Sequence, residues 1–106
     1  MTMIKVSVLY PNHEGTKFDM TYYLDHHVPM VRQLLKSRVK RIAIEQGISA
    51  LQPGAPATYA TMCHLLFDSV EDFQSSFSPH ADAIIADISN YTNTQPIIQI
   101  SDVIVG

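Results

Sequence analysis

Apolar residues open the chain at every second position: Ile4, Val6, Val8 and Tyr10 alternate with Lys5 and Ser7, the pattern of a strand with one buried face. The run PNHEG, residues 11 to 15, breaks it. The period then lengthens to that of a helix. Asp19 is placed as the N-cap, with Phe18 and Tyr23 at the N′ and N4 spacing of a hydrophobic staple, and the helix is expected to reach Lys36. Met20, Tyr23, Leu24, His27, Val31 and Leu34 then share one stripe at i, i+3, i+4 spacing. Pro29 interrupts this helix. It cannot donate to the carbonyl of Asp25 and its ring crowds that oxygen, so a bend and an unpaired carbonyl near His27 are expected.

Ile42, Ile44 and Ile48 predict a second strand, and Pro53, Gly54 and Pro56 a loop after it. TYATMCHLLF, residues 58 to 67, is apolar on both faces and so predicts a central strand. Ser69 followed by Asp72 opens a short helix; Ser78 and Pro79 then restart it as N-cap and N1, with Ala81, Ile84, Ile85 and Ile88 as its buried stripe. PIIQISDVIV, residues 96 to 105, is the fourth strand. The order β-α-β-β-α-β is that of an α+β, ferredoxin-like fold, one domain spanning residues 1–106 with helices on one face of a four-stranded antiparallel sheet. Apolar residues on both faces of the last two strands imply that the bare face meets a second copy, sheet against sheet, as a homodimeric barrel.

Charge narrows the partners. Seven Lys and Arg against ten Asp and Glu give a net charge of -3, with no basic surface for nucleic acid. Charged residues make up 16% of the chain, where about 25% is usual, which again suggests that a second copy covers part of the surface. No charged-then-apolar leader and no apolar run of about 18 residues is seen, so a cytoplasmic protein with no membrane partner is expected. The one cysteine, Cys63, reads as a small buried apolar residue.

The chemistry lies in the histidines. His27 points inward and His26 lies about 100° round the helix, toward solvent. On the second helix His80, Ile84, Asp87 and Tyr91 follow at i, i+4, i+7 and i+11. His80 and Asp87 are separated by about 10 Å of rise, too far to pair, but both can line one cleft. Tyr23, Met20 and Ile84 would wall that cleft, with His27, His80, Asp87, Tyr91 and His64 as its polar groups. Greasy walls with a few titratable side chains suit a small hydrophobic molecule, and histidine there suits general acid or base work. A lone inward histidine is usually a satisfied core residue, though the carbonyl freed by Pro29 weighs for His27, and His64 can equally face the partner. No metal site is expected, because HxxxH and HExxH spacings are absent. No GxGxxG or P-loop points to a nucleotide, and no cofactor is required; haem needs only one axial histidine and is not excluded by counting.

FDMTYYLDHHVPMV, Phe18 to Val31, resembles the signature of the EthD family: F-D, then Y-Y, then H-x-P-M. His80 to Ser101 resembles the second family block, with D-I-x-N-Y-T at Asp87 to Thr92, and KVSVLYPN near the start also fits. The resemblance implies a dimeric α+β barrel, a superfamily that includes antibiotic-synthesis monooxygenases, muconolactone isomerases, polyketide cyclases and haem-handling enzymes. It places the histidine of H-x-P on His27 and the second block on His80, Asp87, Asn90 and Tyr91. EthD is named for an ethyl tert-butyl ether degradation cluster, and relatives are labelled reductases. The expectation is therefore a homodimeric enzyme or enzyme accessory acting on a small hydrophobic compound in catabolism, with redox chemistry as the implied label. The rivals are a cofactor-free isomerase or cyclase and a carrier of an apolar metabolite or haem.

Overall fold

The computed structural model describes residues 2–106. Four antiparallel strands form one sheet: β1 (Ile4–Pro11), β2 (Arg41–Gln46), β3 (Tyr59–Phe67) and β4 (Ile97–Asp102), in the order β2-β3-β1-β4. The helical segments are α1 (Met20–Tyr22), a π turn (Tyr23–His27), α2 (Val28–Leu35), α3 (Val70–Phe77) and α4 (Ala81–Ala86). This is the expected α+β, ferredoxin-like arrangement, with β1 and β3 in the centre.

Alternation along the strands sorts the side chains. Ile4, Val6, Cys63, Leu65 and Phe67 face the helices and join Leu35 in one buried cluster. Burying a large apolar side chain contributes about 1.5–3 kcal/mol, so this layer and the adjoining Tyr10, Tyr23 and Tyr91 cluster hold the helices to the sheet. Ile48, expected in the second strand, lies beyond Gln46 and is 95% exposed. The nearby loop prolines and Gly54 end the pairing sooner than alternation suggests.

The first helix starts as expected. Asp19 accepts from the Tyr22 amide at 3.0 Å, and the Phe18 and Tyr23 rings meet edge to face with centroids 5.0 Å apart. It then widens instead of simply bending: the amide of Val28 reaches back five residues to the Tyr23 carbonyl. One extra residue in the turn, just before Pro29, spares the carbonyl that the proline ring would strike in a regular helix. It also turns the rest of the helix by about one position, roughly 100°. Leu35 is therefore buried in place of Leu34, Val28 turns inward, and Leu24 is left half-exposed. The second helix also differs from expectation. Ser69 does accept from the Asp72 amide at 3.1 Å, but Ser78 makes no cap. Its backbone is already helical, and a 3-10 turn over Ser78–His80 carries the chain around Pro79 into α4.

At the end of α2, Lys36 adopts φ 53° and ψ −137°, a conformation natural to glycine. Holding a lysine there costs about 1–3 kcal/mol. Lys36→Gly is expected to stabilise the fold by about 1 kcal/mol in chemical denaturation, after glycine's own unfolded-state entropy is subtracted; a lower midpoint would contradict this.

Candidate active site

The two helical layers are fastened together at one end. Thr92 Oγ donates to the Lys17 carbonyl at 2.6 Å, the Lys17 amide donates to Asn93 at 2.9 Å, and the Asp19 amide donates to the Tyr91 carbonyl at 2.7 Å. This clamp brings the segment after α4 against the start of the first helix. Asp87, the residue that ends α4, then meets His27, the residue that ends the π turn: Asp87 Oδ2 accepts from His27 Nδ1 at 2.8 Å.

The carboxylate is well held. Its other oxygen accepts from the Tyr22 hydroxyl at 2.7 Å and from the Asn90 amide at 3.0 Å. Partial burial works to raise the Asp87 carboxyl, but the donors Asn90, Tyr22 and His27 outweigh it and hold it below the usual carboxylate range. His27 is 5% exposed, and burial pushes its imidazole below the ordinary value even though the bond and charge of Asp87 oppose the fall. At neutral pH the pair is thus a carboxylate beside a neutral imidazole that carries its hydrogen on Nδ1. Nε2 faces the Tyr91 hydroxyl at 3.4 Å, and Tyr91 in turn lies 2.7 Å from the Tyr10 hydroxyl. Burial raises Tyr10 to about 12 and pushes Tyr23 and Tyr91 higher, so these phenols keep their protons.

Beside this group lies a cavity of about 270 Å³ between the helices and the sheet. Its walls are almost wholly aliphatic and aromatic; His27, Tyr10, Tyr23 and Cys63 bring the polar atoms. Ile85 and Ile98 line it and are more than half exposed, which marks its mouth between α4 and the edge strand β4. Of the residues expected in the cleft, Tyr23, Ile84 and His27 line it. Asp87 and Tyr91 stand behind His27. Met20 packs on the tyrosine cluster instead and borders a separate shallow cleft with Phe18 and Asn12.

His80 is not on the cavity wall, because the 3-10 turn at Pro79 leaves it at the partly exposed start of α4. His64, for which the sequence leaves the cleft and the partner face open, stands opposite Ser7 on the open face of the sheet, with Nδ1 2.9 Å from Ser7 Oγ and Nε2 3.4 Å from Glu45. Cys63 and Leu65, its neighbours, take the cavity side. Helix-by-helix periodicity misses the His27–Asp87 contact, since its partners lie 60 residues apart. Alternation marks Tyr10 only as an inward strand residue and gives Tyr22 no place at all, though the Tyr22-Tyr23 pair in the EthD-like segment is a signal. No cluster of three or more metal-binding side chains exists among the described residues.

The EthD domain model matches residues 15–95, which span both sides of this site. An EthD-like protein from Ralstonia eutropha JMP134 is 42% identical, with 99% of this chain and 95% of that one aligned at a TM-score of 0.93. The chain belongs to the EthD family. A second EthD family protein, from Bacillus halodurans C-125, is 19% identical with a TM-score of 0.70 over 93% of this chain and 96% of that one. The fold extends to a putative antibiotic biosynthesis monooxygenase from Bordetella bronchiseptica, at 14% identity, a TM-score of 0.58 and coverage of 95% and 96%. Fold neighbours from Bacteroides fragilis and Thermobifida fusca, 14% and 15% identical, are described as dimeric. No curated protein matches this EthD chain.

The depressed imidazole sets a pH dependence. A histidine whose folded-state value lies below its unfolded value near 6.5 contributes no penalty above that pH and destabilises the fold as pH drops from there through the folded value. Asp87, also lowered, loses its contribution only in stronger acid, below the ordinary carboxylate value. Stability is therefore expected to decline between neutrality and mild acid, and His27→Gln should flatten that part of the profile. An unchanged slope would show that His27 is not buried as a neutral ring.

Proposed function

We propose that this EthD protein binds a small apolar organic molecule in the cavity and moves a proton to or from it, with His27 and Asp87 holding the proton. The carrying observation is a buried imidazole, paired with a three-donor carboxylate, on the wall of an otherwise greasy hollow. Burial keeps the ring unprotonated and able to accept; Asp87 stabilises the charge once a proton arrives. Chemistry of this class covers lactone isomerisation and ring closure as well as proton steps within an oxidation. The Nδ1 bond to Asp87 leaves Nε2 as the only nitrogen for a haem iron, and Nε2 faces Tyr91.

The test does not depend on which substrate the cavity takes. Small cyclic and aromatic ketones in D2O should exchange the hydrogens beside their carbonyl faster with the protein present, followed by NMR. His27→Gln is expected to retain binding and lose about 100-fold or more of that exchange. Binding with no exchange in the wild type would favour the second reading, a carrier, which the almost wholly apolar wall also suits.

The same proposal includes a homodimer in a cytoplasmic setting. The open sheet face carries Leu9, Met62, Leu66 and Ile97, and neighbours with this fold are described as dimeric. The described residues contain no helix long and apolar enough to cross a membrane. Leu66→Glu is expected to halve the mass in light scattering while leaving the cavity able to bind; a dimer that survives the substitution would place the interface elsewhere.

A further inference from the structure

The His27 ring forms part of the cavity wall, yet both its nitrogens are directed at residues that do not line the cavity. Nδ1 meets Asp87 at 2.8 Å and Nε2 faces Tyr91 at 3.4 Å. A molecule in the cavity therefore meets the carbon edge of the imidazole. Tyr91 leads back to the wall: its hydroxyl lies 2.7 Å from that of Tyr10, and Tyr10 lines the cavity. Of the hydroxyls of Tyr10, Tyr22 and Tyr91, that of Tyr10 belongs to a wall residue; Tyr23, also on the wall, joins the group only through Tyr10 and is shared with Cys63.

We propose that Tyr10 is the catalytic group that exchanges a proton with the bound molecule, and that Tyr91 relays this proton to His27. The proposal rests on the proton-transfer reading above and names the atoms by which it occurs. With the Asp87 carboxylate accepting from Nδ1–H, Nε2 offers only a lone pair. Tyr91 then donates to Nε2, Tyr10 donates to the Tyr91 oxygen, and the Tyr10 oxygen is left with lone pairs for a donor in the cavity.

Proton uptake reverses each link. The bond between the ligand's acidic hydrogen and its oxygen or carbon breaks, with the electron pair staying on the ligand. That hydrogen bonds to Tyr10, the Tyr10 proton passes to Tyr91, and the Tyr91 proton passes to Nε2. Two neutral phenols and an imidazolium beside Asp87 remain, and the ligand has lost one proton. No oxidant or reductant takes part, and the reverse sequence returns a proton to a different atom of the ligand. The chemistry selects an apolar molecule with one phenolic or enolic hydrogen, or a C–H made acidic by a neighbouring carbonyl. Cys63, also on the wall, stays out of the relay: burial pushes its thiol up to about 11, and Tyr23 is its hydrogen-bond partner.

The experiment has a ligand-free arm and a ligand arm, on wild type, Tyr10→Phe and Tyr91→Phe, which keep the rings and their packing. In the first arm the His27 midpoint is followed by side-chain NMR. Tyr91→Phe removes the acceptor for Nε2–H of the charged ring and is expected to lower the midpoint; Tyr10→Phe should lower it in the same direction by less. In the second arm 4-nitrophenol is added below its own pKa. Bound to wild type its absorbance band should move to the red as its hydroxyl donates to the Tyr10 oxygen, and bound to Tyr10→Phe that shift should be lost. A Tyr10→Phe protein with an unchanged His27 midpoint and an equally shifted nitrophenol band would overturn the relay. Midpoint shifts without any nitrophenol binding would support the relay while contradicting the phenolic ligand class and, with no other ligand found, the proposed function itself.

Discussion

A single contact between an imidazole and a carboxylate ties the two helical segments of this protein together beside the cavity that they form with the sheet. Everything else in the site depends on how that contact is reached. His27 arrives on a π turn that Pro29 makes favourable, and Asp87 arrives at the end of a short helix whose following segment is hydrogen-bonded to residues 17 to 19. The clamp holds the two segments at that separation. The contact also sets the chemistry: burial keeps the ring neutral, three donors keep the carboxylate charged, and the difference between them directs the hydrogen to Nδ1.

The sheet separates two environments. Toward the helices it presents Val6, Val8, Cys63 and Leu65, which wall the cavity; on its other side it presents Ser7, His64 and Glu45 in mutual contact amid apolar neighbours. The one-residue alternation of a strand is enough to send Cys63 and His64 to opposite sides. A polar cluster on an open face that also carries Leu9, Met62, Leu66 and Ile97 fits a surface that meets another surface, and a second hollow of about 370 Å³ borders it, lined by Lys5, Arg41, Glu45 and His64 among others. The helix side is where a paired imidazole and carboxylate meet an almost wholly apolar cavity.

Much of the fold is legible in the sequence because alternation, caps and breakers act locally. The β-α-β-β-α-β order, the Asp19 cap with its Phe18 and Tyr23 staple, and the Ser69 cap all follow from neighbours within a few residues. The burial phase of the first helix is not legible in the same way. A 3.6-residue period assigns Leu34 to the core, and only the extra residue of the π turn hands that place to Leu35. The resemblance at Phe18 to Val31 and His80 to Ser101 marks the right segments, since both sides of the site fall within them. What neither spacing nor resemblance could give is the pairing across helices, or the contact of Tyr10 with Tyr91, 81 residues away in sequence.

The central claim is that His27 is a buried, neutral imidazole with its hydrogen on Nδ1, bonded to an ionised Asp87. Side-chain nitrogen chemical shifts of His27 at neutral pH measure this directly. Nδ1 should carry the hydrogen and Nε2 should show the signature of an unprotonated ring nitrogen. A hydrogen on Nε2, or a doubly protonated ring at neutral pH, would contradict the account.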